Sequence, residues 1–181
     1  MQQQQLVVTG RNAEGKSIFL DSILKPAALT FGQVPGLEVR RLWATVENPV
    51  IGNIGPETVP LPSSLVPAPG ETRATQVTFP PDAVWEQVHD WEAVGVEYAA
   101  KLPGLAQTFE AGDPGMHTTP TVDYVILLAG ELSLELDSGE QRHLKAGDVV
   151  VQNGTRHAWR NRSRQPATIL AVLIGAVQTL E

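Results

Sequence analysis

The hydrophobic residues of this chain fall in many short runs that alternate with polar residues and are separated by glycine and proline. Leu132, Leu134 and Leu136 alternate with acidic and hydroxyl residues, as in a strand with one exposed face. Tyr124–Ala129 is apolar on both faces, which predicts a strand buried between two layers. Further strands are predicted at Leu6–Val8, Ser17–Leu20, Leu37–Val46, Arg73–Phe79, Val149–Gln152 and Ala167–Gly175. The pattern predicts an all-β domain with many turns.

Two segments depart from this strand pattern. Pro56–Pro69 holds five prolines without periodicity, which predicts a surface loop. Within 82–102, apolar residues recur at helical spacing around Gly95, which predicts one broken helix or two short ones. This helical insert either covers one end of the barrel or forms a lid that brings Trp85 and Trp91 near a ligand.

Composition narrows the classes of function. A chain of 181 residues is expected to form a single domain, 1–181, with N-terminal strands and the Pro-rich loop in 1–80. The net charge of -7 argues against nucleic acid and anionic membranes as partners. Cysteine is absent, so thiolate chemistry and disulfides are excluded. The N-terminus shows neither a signal peptide nor an apolar span, so a cytoplasmic location is expected.

One motif matches a nucleotide-binding pattern but does not have the required context. Gly10–Ser17 reads as a phosphate-binding P-loop, which works only when a strand leads in and a helix leads out. Here the following residues, Ile18 to Leu20, predict a strand. The segment is therefore interpreted as a hairpin turn around Gly15, and no nucleotide is expected to bind.

Candidate chemistry concentrates in the C-terminal half. His117 and Asp123 are six residues apart and can share a site only if the chain folds back between them, which the turn at Pro120 permits. His157 lies on a later strand. Two imidazoles and one carboxylate suit a divalent ion with open positions, so iron, manganese, zinc, nickel and copper are all candidates.

The segment 112–161 resembles the two sequence motifs of the cupins. The first motif corresponds to His117, Thr119, Asp123 and Gly130, with threonine in place of the second histidine and aspartate in place of glutamate. Its opening glycine is displaced, because Ala111 occupies that position and Gly112 follows it. The second motif corresponds to Gly147, Gly154, His157 and Asn161 and is one residue short.

The resemblance implies a double-stranded β-helix, the cupin jelly-roll barrel, and a homodimer. It implies a metal site at His117, Asp123 and His157 with about even odds of occupancy, the same residues being catalytic. If no metal binds, the same residues contact the ligand, and His117 is then the expected proton carrier. The predicted substrate-binding residues are Thr119, Thr121, Trp43, Val125, Leu127 and Trp159.

Three functions remain open from the sequence. The first is a metal-dependent enzyme of lyase or isomerase type, such as a dehydratase or decarboxylase, acting on a small aromatic or polyketide-like molecule. The second is an Fe-dependent dioxygenase, and the third is a non-catalytic binding protein. The apolar wall of Trp43, Val125, Leu127 and Trp159 is interpreted either as a substrate surface or as plain barrel core. The basic residues between Arg156 and Arg164 either attract an acidic substrate or are simply solvated.

Overall fold

The computed structural model describes residues 5–20, 27–51 and 62–178. Within these ranges the strands are β1 (Thr9–Arg11), β2 (Ser17–Phe19), β3 (Ala28–Thr30), β4 (Glu38–Thr45), β5 (Thr72–Phe79), β6 (Thr121–Ala129), β7 (Glu131–Glu135), β8 (Gln141–Lys145), β9 (Val149–Asn153), β10 (Ala158–Arg160) and β11 (Ala167–Gly175). The helices are α1 (Asp82–Trp85) and α2 (Trp91–Lys101), with short 3-10 turns at Ala106–Thr108 and Asp137–Gly139.

Apart from the two-stranded β1-β2 hairpin, the strands of the described ranges form two antiparallel sheets that enclose the core. One sheet has the order β3-β4-β5-β11-β6-β9 and the other has the order β10-β7-β8. Apolar side chains from both sheets pack together, and they include Val125 of β6, Leu132 of β7 and Ile169 of β11. This arrangement confirms the predicted all-β barrel.

The tight junction between β6 and β7 explains the glycine that ends the first motif. Gly130 has φ +79°, a conformation that L side chains rarely adopt. A Cβ atom there would lie 2.6 Å from the carbonyl oxygen of Pro166 and 2.8 Å from the Cα of Ala167. The chain therefore turns at Gly130 directly against the start of β11.

The helical insert consists of two short helices that close one end of the barrel. Val94 and Leu102 are buried against Phe31, Val34 and Leu37 in a second apolar cluster. The α2 residue Glu97 also accepts hydrogen bonds from the backbone amides of Gly32 and Gln33, at 2.8 and 3.0 Å. Trp85 packs on this cluster and stacks on Trp91 at 6.4 Å between ring centroids. These contacts agree with a cover and give no support to a lid.

The N-terminal segment confirms the hairpin and corrects its first boundary. β1 pairs with β2, and Gly15 in the turn has φ +79°. A strand, rather than a helix, therefore follows the P-loop-like sequence. The first strand is Thr9–Arg11 instead of the predicted Leu6–Val8, although the Val8 carbonyl still accepts a bond from Leu20.

Two further predictions concern the burial of one strand and the Pro-rich loop. The prediction that Tyr124–Ala129 is buried on both faces is wrong, because Tyr124 and Leu128 are 48% and 43% exposed on the outer face of β6. Residues 56–61 of the Pro-rich loop lie outside the described ranges. None of the helices in the described ranges is long and apolar enough to cross a membrane.

Candidate functional site

The two motif histidines lie directly opposite each other. The backbone amide of each donates to the carbonyl of the other, and both bonds measure 3.0 Å. Their ring centroids are 4.3 Å apart. The predicted convergence of His117 and His157 is therefore present, and one antiparallel bridge produces it.

Hydrogen bonds to the backbone orient both imidazoles. His117 Nδ1 lies 3.0 Å from the carbonyl oxygen of Gly115, and His157 Nδ1 lies 2.9 Å from that of Thr155. Because a carbonyl oxygen only accepts, we assign the proton of the neutral His117 ring to Nδ1, which leaves the lone pair of its Nε2 available to a ligand. The Nδ1 of His157 faces both an acceptor, the Thr155 carbonyl oxygen, and a donor, the Gln152 amide nitrogen at 2.9 Å, so these contacts assign the tautomer of His117 only.

Burial keeps both rings neutral near pH 7. It lowers the pKa of His157 to about 4, with a smaller contribution from the neighbouring His117. Burial also lowers the pKa of His117 from its ordinary value. The two rings are therefore neutral at neutral pH, where each can accept a hydrogen bond. The expectation that His117 carries a proton if no metal binds stays a prediction.

Asp123 is a buried carboxyl on the inner face of β6. Asp123 is only 6% exposed, and its carboxyl oxygen Oδ1 has no hydrogen-bond partner within the described part of the chain. Burial raises the pKa of Asp123 to about 6, against a hydrogen bond from Thr121 that lowers it. Such a carboxyl can both accept and return a proton near neutral pH.

Thr119 and Thr121 extend this row of buried polar residues, and their predicted role in substrate binding stays a prediction. They are 3% and 1% exposed, and their hydroxyl oxygens are 2.8 Å apart. The Thr121 amide also bonds to the Thr119 carbonyl at 2.8 Å, so the chain turns tightly around Pro120. This turn is the one that the spacing of His117 and Asp123 required.

The structure does not bring the three predicted metal ligands together. Among residues 5–20, 27–51 and 62–178, no three histidine, aspartate or glutamate side chains are grouped so as to hold an ion. Gln152 is the cross-strand partner of Asp123, and its amide nitrogen lies 2.9 Å from His157 Nδ1. Gln152 therefore occupies the position between the carboxyl and the imidazole pair. The residues present fit two nitrogen ligands and do not fit the three-ligand set.

The predicted apolar wall separates into core and outer surface. Val125 and Leu127 are buried in the barrel core, and Trp159 packs against that core and edge-on to His157. The cross-strand partner of Trp43 is Ala74. Because the neighbours of Ala74, Arg73 and Thr75, face inward, Ala74 and its partner Trp43 lie on the other face of the sheet. The register shift between Arg41 and Trp43 turns the Trp43 side chain to the outer face of the sheet. Trp43 is therefore removed from the predicted substrate surface.

Two of the four arginines in the basic cluster are paired with neighbouring acids. Arg156 binds Glu110 at 2.7 Å, Asp113 at 2.9 Å and Asp137 at 3.1 Å. Arg160 binds Glu135 at 2.6 Å. These two guanidinium groups are already paired, which favours the solvated interpretation over attraction of an acidic substrate.

Sequence reasoning missed two inward-facing polar residues, Gln152 and Arg41. Gln152 is 3% exposed and donates to the Thr155 carbonyl at 2.8 Å, which fixes the loop before His157. Arg41 shares its face of β4 with Val39 of the core. The alternation of Leu37, Val39 and Arg41 was the available signal, because it places the arginine on the apolar side of the strand.

Comparisons with known proteins agree with this architecture. Residues 107–173 match the family model described as "Cupin domain". The chain is 36% identical over 157 residues to "Phomopsin biosynthesis cluster protein C'" of Diaporthe leptostromiformis, covering 86% of this chain and 69% of that protein. It is 24% identical over 170 residues to "Cupin-domain-containing oxidoreductase fogC" of Aspergillus ruber, covering 92% and 70%. Among solved structures, a putative ethanolamine utilization protein Q from Salmonella typhimurium LT2 covers 98% of this chain and 100% of its own at 14% identity and a TM-score of 0.43.

Proposed function

Because the chain belongs to the cupin superfamily, we propose that it is an enzyme that moves a proton on a small organic molecule held inside the barrel. The reaction class is that of a lyase or isomerase, such as a dehydration or a double-bond shift. The observation that carries this proposal is Asp123, a buried carboxyl with an oxygen that no group in the described ranges binds. A buried polar atom without a partner is costly, and such atoms cluster at sites that bind ligands.

The residues around the carboxyl supply the remaining roles. The Asp123 carboxylate takes a proton from a carbon next to a carbonyl, so that the C–H bond breaks and the electron pair moves onto the carbonyl oxygen. The same carboxyl then returns the proton to another atom of the molecule, which completes an isomerisation. The Nε2 lone pair of His117 accepts a hydrogen bond from a substrate hydroxyl. Thr119 and Thr121 hold the carboxyl in place.

The sequence also predicted one divalent ion of iron, manganese, zinc, nickel or copper. The scheme above uses no step at an ion, because only His117 and His157 of the predicted ligands lie together. Elemental analysis of the purified protein tests the prediction directly. An ion present in stoichiometric amount and lost in His157→Ala would place it at the histidine pair.

An oxidoreductase is the second candidate function. The relative from Aspergillus ruber is named a cupin-domain-containing oxidoreductase, and two adjacent imidazoles are ligands that suit a redox metal. Oxygen uptake with added Fe(II) and a candidate substrate would favour this function over proton transfer. Binding without turnover of any kind would favour the third possibility, a non-catalytic binding protein.

Hydrogen–deuterium exchange tests the proposed proton transfer. The protein is incubated in D₂O with a panel of aromatic ketones and β-keto acids, and exchange at the carbon next to the carbonyl is followed by NMR. We expect Asp123→Asn to abolish catalysed exchange and Glu92→Gln, an exposed acid on α2, to leave it unchanged. Equal exchange by the wild type and Asp123→Asn would contradict the assignment.

We further propose that a second copy of this chain covers the outer face of the six-stranded sheet. Tyr124 and Val151 are direct cross-strand partners there, and Val149 and Leu128 lie on the same face. These four side chains are 43–64% exposed. Each copy carries a net charge of -7, so an uncharged apolar patch is the surface at which two copies repel each other least. A two-fold axis would cover the same patch on both.

A further inference from the structure

Arg41 is a partly buried residue on the inner face of β4. Arg41 and Val39 share one face of the strand, and their cross-strand partners on β5 are Thr75 and Val77. Thr75 is 7% exposed, and Val39 and Val77 belong to the apolar core. The register therefore places a cationic side chain among interior positions.

Arg41 differs from its neighbour Arg73 in how its donors are used. The Arg73 guanidinium binds the Glu71 carboxylate and donates to the carbonyls of Ser64 at 3.2 Å and Thr72 at 2.8 Å. By contrast, Nη2 of Arg41 is buried and finds no acceptor anywhere in the described ranges. Burial and the nearby Arg73 both lower the pKa of Arg41. A buried cationic donor in this position is stabilised most by an anion.

Small side chains connect Arg41 with the side of the barrel that carries Asp123. Cross-strand partners on the inner face form a row that starts at Arg41 and continues with Thr75 of β5 and Ala171 of β11. The row ends at Val125 of β6, and Asp123 lies two residues before it on the same inner face. Three strand spacings separate the two strands, about 14 Å along the sheet, part of which the long arginine side chain spans.

Two of the three buried atoms without partners in the described ranges, Arg41 Nη2 and Asp123 Oδ1, thus lie on one inner surface, with Thr75 and Ala171 on the strands between them. The third, Gln76 Oε1, lies on the opposite face of β5. We propose that Arg41 binds the carboxylate, or an equivalent oxyanion, of a small organic acid whose reacting end lies at Asp123. This inference rests on the proposed function and names the class of its substrate. In this proposal Arg41, and not the surface cluster around Arg156, attracts the acid, because Arg156 is already paired with carboxylates.

Binding of model acids tests the role of Arg41 without knowledge of the substrate. The probes are benzoate, 2-naphthoate and phenylacetate, each with its neutral amide as a matched control, and binding is measured by calorimetry and by the shift in melting temperature. The variants are Arg41→Met and Arg40→Met. Arg40 is the adjacent residue on the outer face, where it pairs with Glu38 at 3.5 Å.

We expect at least one carboxylate to bind the wild type and its amide to bind far more weakly. Arg41→Met should weaken carboxylate binding by about 10- to 100-fold, the range expected for one charge-assisted hydrogen-bonded contact. Arg40→Met should bind as the wild type does. Arg41→Lys, which keeps the charge without the planar fork, should retain part of the affinity and serves if Arg41→Met does not fold.

Three outcomes would overturn the proposal: no carboxylate binds the wild type, amides bind as tightly as acids, or the Arg41 variants keep full affinity. Asp123→Asn separates this proposal from the proton transfer on which it rests. That variant should lose hydrogen–deuterium exchange while still binding carboxylates. If Asp123→Asn loses exchange while Arg41→Met binds carboxylates as tightly as the wild type, the role of Asp123 is retained and that of Arg41 is rejected.

Discussion

Replacing Asp123 with asparagine should stabilise the protein, although it removes the proposed catalytic group. In the folded protein the carboxyl is buried, and its pKa is raised from the ordinary value of 3.8 to about 6. That difference corresponds to about 3 kcal/mol of unfavourable free energy for carrying the charge inside the fold. Asparagine has the same shape as the protonated acid and carries no charge at any pH.

The sign of the effect fixes the pH range in which it appears. A raised pKa means that the folded state binds the proton more tightly than the unfolded state does, so this contribution to stability is fully present below about pH 4. It is lost as the pH rises through about 6. The advantage of Asp123→Asn over the wild type should therefore grow between pH 4 and 7, by about 3 kcal/mol, and then remain constant.

Urea unfolding at half-unit steps from pH 4 to pH 8, in buffer with EDTA, measures this difference. Glu92→Gln, at an exposed position on α2, is the control, and its stability relative to the wild type should change little over the same range. A stability difference between Asp123→Asn and the wild type that does not vary with pH would refute the reasoning. A wild type that is the more stable protein at pH 8 would show that a positive group pairs with Asp123.

The remaining predictions concern assembly, a turn and the hairpin. Light scattering should show a dimer for the wild type and a monomer for Val151→Glu, while Val96→Glu, exposed on α2, should remain dimeric; a monomeric wild type would reject the patch. Gly130→Ala should cost roughly 3 kcal/mol in chemical denaturation, because it adds a close contact to the strain of positive φ, whereas Gly139→Ala, with open space around it, should cost only about 1 kcal/mol. Lys16→Ala should leave stability and activity unchanged, and saturable ATP binding that this substitution abolishes would contradict the hairpin assignment.

The sequence predicted the fold well where turns and alternation act locally. The last strand has its predicted ends at Ala167 and Gly175, and the turn at Gly15 lies where the hairpin was predicted. The prediction for Tyr124–Ala129 was wrong because both of its faces are apolar, and a linear pattern cannot show whether a second layer covers them. The same apolar outer face is the observation that supports a dimer.

The site was predicted less completely because it depends on the relation between distant strands. His117 and His157 meet through one bridge, which motif spacing could indicate. The distance from Asp123 to the histidines depends on Gln152 of β9, and the orientation of Trp43 depends on a bulge in β4. No local pattern records a bulge, so Trp43 was assigned to the substrate surface. Arg41 precedes the bulge and was overlooked although its alternation with Leu37 and Val39 placed it on the apolar face.

Hydrogen bonding distinguishes structural polar groups from functional ones in this barrel. Asn161, a motif residue only 1% exposed, donates to the carbonyls of Phe79 and Gln165 and accepts from the Ser163 amide, so its amide is fully used by the fold. Arg73 is satisfied in the same way by Glu71 and backbone carbonyls. Asp123, Arg41 and Gln76 each keep a buried atom that nothing in the described ranges satisfies, and of these only Asp123 and Arg41 share the inner face. Because leaving such atoms unpaired lowers stability, a ligand that pairs with both is the simplest physical reason for their presence.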